Sequence, residues 1–156
     1  MKIKVLLIGK TDQAWVREGL EIYLDRLRHY TGMEWLEIPA PKTGKSDEQK
    51  QKKAEGELIL KNIQPSDRVI LLDERGKETD SPGLAQLIQQ QMNSGLKQLV
   101  LVIGGAYGFS EEVYARSDMK LSLSRLTFSH QMVRVFLAEQ VYRAFTILKG
   151  ESYHHK

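Results

Sequence analysis

The side chains able to do chemistry gather in the second half of this sequence. Three stretches rich in glycine and serine each follow an apolar run: Leu72-Asp73-Glu74-Arg75-Gly76, Gly104-Gly105-Ala106-Tyr107-Gly108-Phe109 and Leu123-Ser124-Arg125-Leu126-Thr127-Phe128-Ser129. Glycine in such places lets backbone N–H and C=O groups approach a ligand with no side chain between them. Groups of that kind can read the edge of an adenine or a ribose, and a side chain added at Gly105 is expected to fill the ligand's space. Gly104-Gly105-x-x-Gly108 is not the G-x-G-x-x-G dinucleotide fingerprint, and no Gly-Lys-Ser/Thr follows it. By itself it reads as a structural turn at least as readily as a cofactor loop.

Nucleophilic catalysis finds little support, because there is no cysteine and no G-x-S-x-G turn. Of the four histidines, His29 closes an amphipathic stretch, and His154-His155 lack further metal-ligand spacing, so no metal is expected. His130 and Arg134 stand one helical turn apart and share a face at the start of the last helix, with Arg143 further along it. Both arginines read first as surface or interface salt-bridge partners. Tyr153-His154 offers a ring for stacking, a hydroxyl and a group that titrates near neutrality, though tails of this composition are often frayed.

The elements that must position these residues alternate along the chain. Residues 3–8 are a buried strand; Thr11 or Asp12 caps a helix to about His29; Met33–Ile38 is a strand stopped by Pro39 and Pro41. Ala40–Lys45 is a loop, and Ser46-Asp47-Glu48-Gln49 has the form of a capping box opening a polar helix to about Ile63. Arg68–Asp73 is a strand, Glu74–Asp80 a polar loop, and Ser81-Pro82 starts a helix ending at Gly95. Gln98–Ile103 and Met119–Leu123 are strands flanking a short helix begun by Ser110. Gln131–Lys149 is a long helix ended by Gly150. This order predicts an α/β class with a mostly parallel sheet and helices on both faces. In open sheets of that kind, ligands sit beyond the C-terminal ends of the strands, where the three loops lie.

A single domain over 1–156 is expected from the length, with no linker or repeat. No apolar run is long enough to span a membrane, and the short N-terminal apolar stretch lacks a cleavage-site pattern, so a cytoplasmic protein is the reading. The net charge of +3 is mild. Its distribution says more: Arg116–Lys156 holds seven Lys/Arg against three acids, and Lys42–Lys53 five Lys against two. Two basic zones suit a polyanionic partner such as RNA, or are simply solvated faces. The last helix carries Val133, Leu137, Val141, Ala144, Phe145 and Leu148 on one face. Met132, Val135, Phe136, Tyr142 and Ile147 lie on others. Such a helix must be covered twice, by a second subunit or by deeper burial within the monomer.

The sequence also resembles a known family. The resemblance rests on Leu71-Leu72-Asp73-x-x-Gly76-Lys77, Ile103-Gly104-Gly105-Ala106-x-Gly108 and Ser122-Leu123-Ser124-x-Leu126-Thr127-x-x-His130. It continues through Val133-Arg134, Glu139-Gln140-x-Tyr142-Arg143-Ala144 and Tyr153-His154. Together these segments resemble the RlmH family, pseudouridine N3-methyltransferases acting on large-subunit (23S) ribosomal RNA. The resemblance implies the SPOUT class, in which the C-terminal part of an α/β fold threads into a trefoil knot. It implies S-adenosylmethionine as cofactor, a homodimer formed through the C-terminal helix, and ribosomal RNA on an assembled large subunit or whole ribosome as partner. It maps cofactor binding onto Leu72, Gly104, Gly105 and Leu123, and onto Ser124, Arg125, Leu126, Thr127, Phe128 and Ser129. RNA binding falls on Arg134, Arg143 and Tyr153, and catalysis on His154, Tyr153, Arg143 and His130, with His154 favoured as general base. Where an arginine often follows Tyr-His in that family, His155 and Lys156 stand here, so a role for His155 does not carry over. The alternatives are a SPOUT enzyme with another target nucleotide, a non-catalytic RNA- or ribosome-binding protein, and a nicotinamide-dependent oxidoreductase that the missing fingerprint disfavours.

Overall fold

A computed structural model describes residues 1–43 and 47–155. Strands and helices alternate as β1 (Lys2–Ile8), α1 (Ala14–Leu27), β2 (Gly32–Ile38), α2 (Glu48–Lys61) and β3 (Arg68–Glu78). They continue as α3 (Ser81–Asn93), β4 (Gln98–Ile103), α4 (Glu111–Arg116), β5 (Met119–Ser122) and α5 (Met132–Leu148). One sheet runs in the order β2-β1-β4-β3-β5, and every neighbouring pair is parallel. The expected mostly parallel sheet is therefore parallel throughout, because each strand-to-strand connection is long enough to return to the starting edge.

Strand side chains alternate between faces. Ile3, Val5 and Leu7 pack with Leu20, Leu24 and Leu27 of α1, Ile88 of α3, and Leu137, Val141 and Phe145 of α5. Leu6 and Ile8 point the other way, with Val100 and Val102, onto Ile59 of α2 and Val113 of α4. Both faces are covered, which is why these strands read as unbroken apolar runs. α5 packs between α1 and α3, so burial within the monomer supplies much of its cover. Gly19 of α1 lets Val135 come close. Met132 remains 45% exposed, and Phe136, Tyr142 and Ile147 stay half-buried.

Several local expectations are corrected. The residue before α1 is Gln13 rather than Thr11 or Asp12, and it makes no side-chain cap. Thr11 is instead buried, with its hydroxyl committed to Glu37 and Arg134. Asp47 caps α2 by accepting from the Lys50 amide; the Ser46 part of the expected box, and the end of the loop before it, lie outside the described residues. Asp80, not Ser81, caps α3, and the Ser81 hydroxyl donates to Gln140 Oε1 at 2.8 Å.

The largest difference concerns β3. It does not end at Asp73 but continues to Glu78. Leu72 and Lys77 both stand opposite Leu121, so Asp73–Gly76 bulge from the ladder and the strand then resumes. Gly76 makes the return possible. A Cβ there would lie 2.6 Å from both Leu121 N and Lys120 C. The polar bulge breaks the apolar pattern, which is why periodicity ends the strand too early.

Candidate functional site

β4, β3 and β5 are adjacent in the sheet, so the loops that follow β4 and β5 meet the Asp73–Gly76 bulge of β3. Between them is a cavity of about 390 Å³, within the range of small-molecule sites. Leu72, Gly104, Gly105, Leu123, Ser124, Leu126, Thr127 and Phe128, all expected at a cofactor, line it. Arg125 and Ser129 do not. Arg125 turns outward to Glu78 at 2.7 Å, and the Ser129 hydroxyl accepts from the Met132 amide at 3.1 Å as α5 begins. The loop is held in shape from within: Ser122 Oγ donates to Ser124 O at 3.0 Å, Ser124 Oγ accepts from Leu126 N at 2.9 Å, and Phe128 packs on Phe136.

The two glycines serve a purpose other than the one expected. A Cβ on Gly104 would come 2.8 Å from the Phe109 ring, and one on Gly105 would come 2.5 and 2.6 Å from the carboxylate oxygens of Glu55. Their missing side chains make room for the protein's own packing, while both glycines line the cavity. Gly108 closes the turn at φ +83°, and its amide donates to Gly105 O at 3.1 Å.

Asp73 and Tyr114 belong to the cavity wall although no role was expected of them. Asp73 Oδ2 accepts from the Tyr114 hydroxyl at 2.5 Å, and Oδ1 from the Arg75 amide at 2.9 Å. Arg75 Nη2 donates to the Tyr114 oxygen at 3.0 Å. Burial pushes the Asp73 carboxyl up, but these hydrogen bonds and the Arg75 charge prevail and hold it below its ordinary value. Asp73 is thus an ionised acceptor at the start of the β3 bulge. Its place just after Leu72 was the available sequence signal.

The expected catalytic and RNA residues are not brought into this cavity. His130 is exposed before α5 and is not among the lining residues. Arg143, Tyr153 and His154 form a separate group along α5. Arg143 pairs with Glu139 at 2.5 Å and lies 4.7 Å from the Tyr153 ring centre. The Tyr153 hydroxyl donates to Glu139 Oε1 at 3.0 Å, and His154 Nδ1 lies 3.4 Å from Arg143 Nη1. Burial first, then hydrogen bonding with Tyr23 and Glu139, pushes the Tyr153 phenol up, so it keeps its proton. The tail is therefore docked rather than frayed. Val133 lines the cavity, whereas Arg143 lies about 15 Å further along the helix at the usual rise.

Arg134 requires a correction. It is 2% exposed, and its guanidinium donates to the carbonyls of His130, Gly9 and Ile8 and to the Thr11 hydroxyl at 2.9–3.1 Å. It ties α5 to the end of β1, with its guanidinium committed to oxygens of the protein itself. Sequence spacing placed it correctly beside His130 but could not tell inward from outward.

A family model described as "Predicted SPOUT methyltransferase" matches residues 1–154. The chain is similar to a protein named ribosomal RNA large subunit methyltransferase H from Christiangramia forsetii, 57% identical over the whole of both chains. A protein of the same name from Cytophaga hutchinsonii is 52% identical over 99% of this chain and all of that one. Among solved structures it is similar to a probable methylase family protein from Haemophilus influenzae. That likeness of fold has a TM-score of 0.52 at 14% identity and covers 99% of this chain and 70% of that chain. Likeness that runs from end to end at this level of identity means that the chain belongs to the SPOUT methyltransferase family, in company with the proteins named ribosomal RNA large subunit methyltransferase H.

Proposed function

We propose that this protein methylates N3 of a pseudouridine in large-subunit ribosomal RNA, acting in the cytoplasm on an assembled subunit or ribosome. The methyl donor is S-adenosylmethionine, as in the family. The observation that carries the reading is the meeting of the β3 bulge with the loops after β4 and β5 in one cavity of suitable size. Its residues suit such a donor. Leu72, Ile103 and Phe128 offer apolar surface, the turns at 104–108 and 123–128 offer backbone donors and acceptors, and Asp73 and Glu74 offer negative charge to a cation. When bound, S-adenosylmethionine supplies a methyl group on a positive sulfur, and its in-line transfer needs no covalent enzyme intermediate. The protein's task is to hold the two reactants in line and exclude water.

The imide proton of the base must be lost. His154 is the proposed acceptor, with Arg143 and Tyr153 positioning the RNA. Docked on Glu139, these groups stand well along α5 from the cavity of their own chain, so a site composed of one protomer's cavity and its partner's tail is the consistent arrangement. The exposed apolar side chains Met132 and Leu126, 45% and 75% exposed, lie near the start of α5 and are suited to a homodimer contact there. The threading of the C-terminal part into a trefoil knot belongs to the same reading.

The deciding experiment is mass spectrometry of ribosomal RNA from a deletion strain, with and without complementation. One N3-methylated pseudouridine should vanish and return. An unchanged spectrum, together with retained ribosome binding, would leave a non-catalytic binding protein. Size measurement in solution should give a dimer, and a stable, active monomer would remove the composite site.

A further inference from the structure

Glu55 lies on α2, on the side of the sheet away from α5, and was given no part in the site. It is 4% exposed. Its Oε2 accepts a single hydrogen bond, from Gln51 Nε2 at 2.8 Å, and its Oε1 has no partner. Among the described residues it forms no ion pair. The carboxylate packs against Gly105, with both oxygens within 2.6 Å of where a Cβ would stand. It is pinned there, because the neighbouring Gly56 is pressed onto Ser110, which caps α4, and Val113 of that helix. A buried carboxylate without a counter-charge is costly, and the glycine this one packs against lines the cavity.

The cavity wall shares its sign. Asp73 and Glu74 line it, and the cation among the lining residues, Arg75, has a side chain 74% exposed and already paired with Asp73 at 3.6 Å. The site therefore favours a positively charged ligand. The methyl donor carries a positive sulfur and its demethylated product does not. Resting on the cofactor reading above, we propose that Glu55 is a specificity-determining positioning residue. Its unpaired negative charge, held behind Gly105, makes the pocket prefer the sulfonium donor over the neutral thioether product, so that spent cofactor is exchanged for fresh.

The test is calorimetric titration of the full-length protein with S-adenosylmethionine and, separately, S-adenosylhomocysteine. Glu55→Gln keeps the shape and the Gln51 hydrogen bond and removes the charge. Donor affinity should fall about tenfold, the order expected for one charge acting at short range through protein. Product affinity should stay within about twofold, since no charge on its sulfur is lost. The melting temperature should hold or rise, because an unpartnered buried charge is gone. Equal weakening of both ligands would make Glu55 a brace for the loop and overturn the proposal, as would no change in either. Glu55→Met provides the same comparison if the glutamine variant fails to fold. If the unaltered protein binds neither ligand, the cofactor reading itself falls; if it binds both with equal affinity, the cofactor reading stands and this proposal is overturned.

Discussion

Replacing Arg134 by methionine separates two accounts of the last helix. The side chain keeps a similar stem length but loses all four guanidinium hydrogen bonds, to Ile8 O, Gly9 O, His130 O and Thr11 Oγ1. Burial pushes the Arg134 pKa down, with Glu37 at 4.0 Å opposing, so the charge is held at a desolvation cost that its partners offset. Glu37 itself would not be orphaned. It still accepts from the Thr11 amide at 2.7 Å and its hydroxyl at 3.0 Å, and it pairs with Arg17 at 3.2 Å. The loss thus falls mainly on the two β1-end carbonyls and the Thr11 hydroxyl. At roughly 1–3 kcal/mol for each buried group left unsatisfied, discounted because the exposed Lys10 follows directly on Gly9, we expect about 3–4 kcal/mol. For a domain of this size that lowers the melting temperature by about 10 °C. Urea unfolding followed by circular dichroism measures the change, and Arg134→Lys should recover about half, since an ammonium cannot fork across the same acceptors. RNA affinity of the folded protein, and its salt dependence, should change little. A loss below about 1 kcal/mol accompanied by weaker, less salt-sensitive RNA binding would refute the argument and restore Arg134 as a phosphate contact.

Three further outcomes are expected. Deleting Tyr153–Lys156 should spare cofactor binding by calorimetry and abolish RNA methylation, because the tail docks on Glu139 away from the cavity; parallel loss of both would make it structural. Gly76→Ala should cost about 2–3 kcal/mol in chemical unfolding, since its Cβ meets backbone atoms of β5 that cannot swing aside. The Tyr30 hydroxyl donates to Glu151 at 2.7 Å, and that bond, with burial second, pushes its pKa from 10.0 to about 12. The folded value exceeds the unfolded one, so the contribution is fully present below pH 10 and fades as pH rises towards 12. Tyr30→Phe should remove that part of the alkaline decline, measured by denaturation across the window.

Local pattern alone determined the alternation of strands and helices, the parallel class and the loops after β4 and β5, because burial on both faces of a sheet leaves unbroken apolar runs that sequence displays directly. The family segments carried that to a methyltransferase. Periodicity stopped β3 at Asp73, since a polar bulge held by Gly76 against β5 depends on a strand more than forty residues later. Side-chain direction was likewise out of reach. Arg134 and Arg143 look alike in sequence, yet one is sunk against β1, more than 120 residues earlier, and the other is pinned by Glu139 one turn away. Gly105 was legible as a glycine needing space, but the occupant of that space, Glu55, comes from α2 on the far side of the sheet. Only the packing of distant elements decides which groups are desolvated, and desolvation sets what a charge at the pocket is worth.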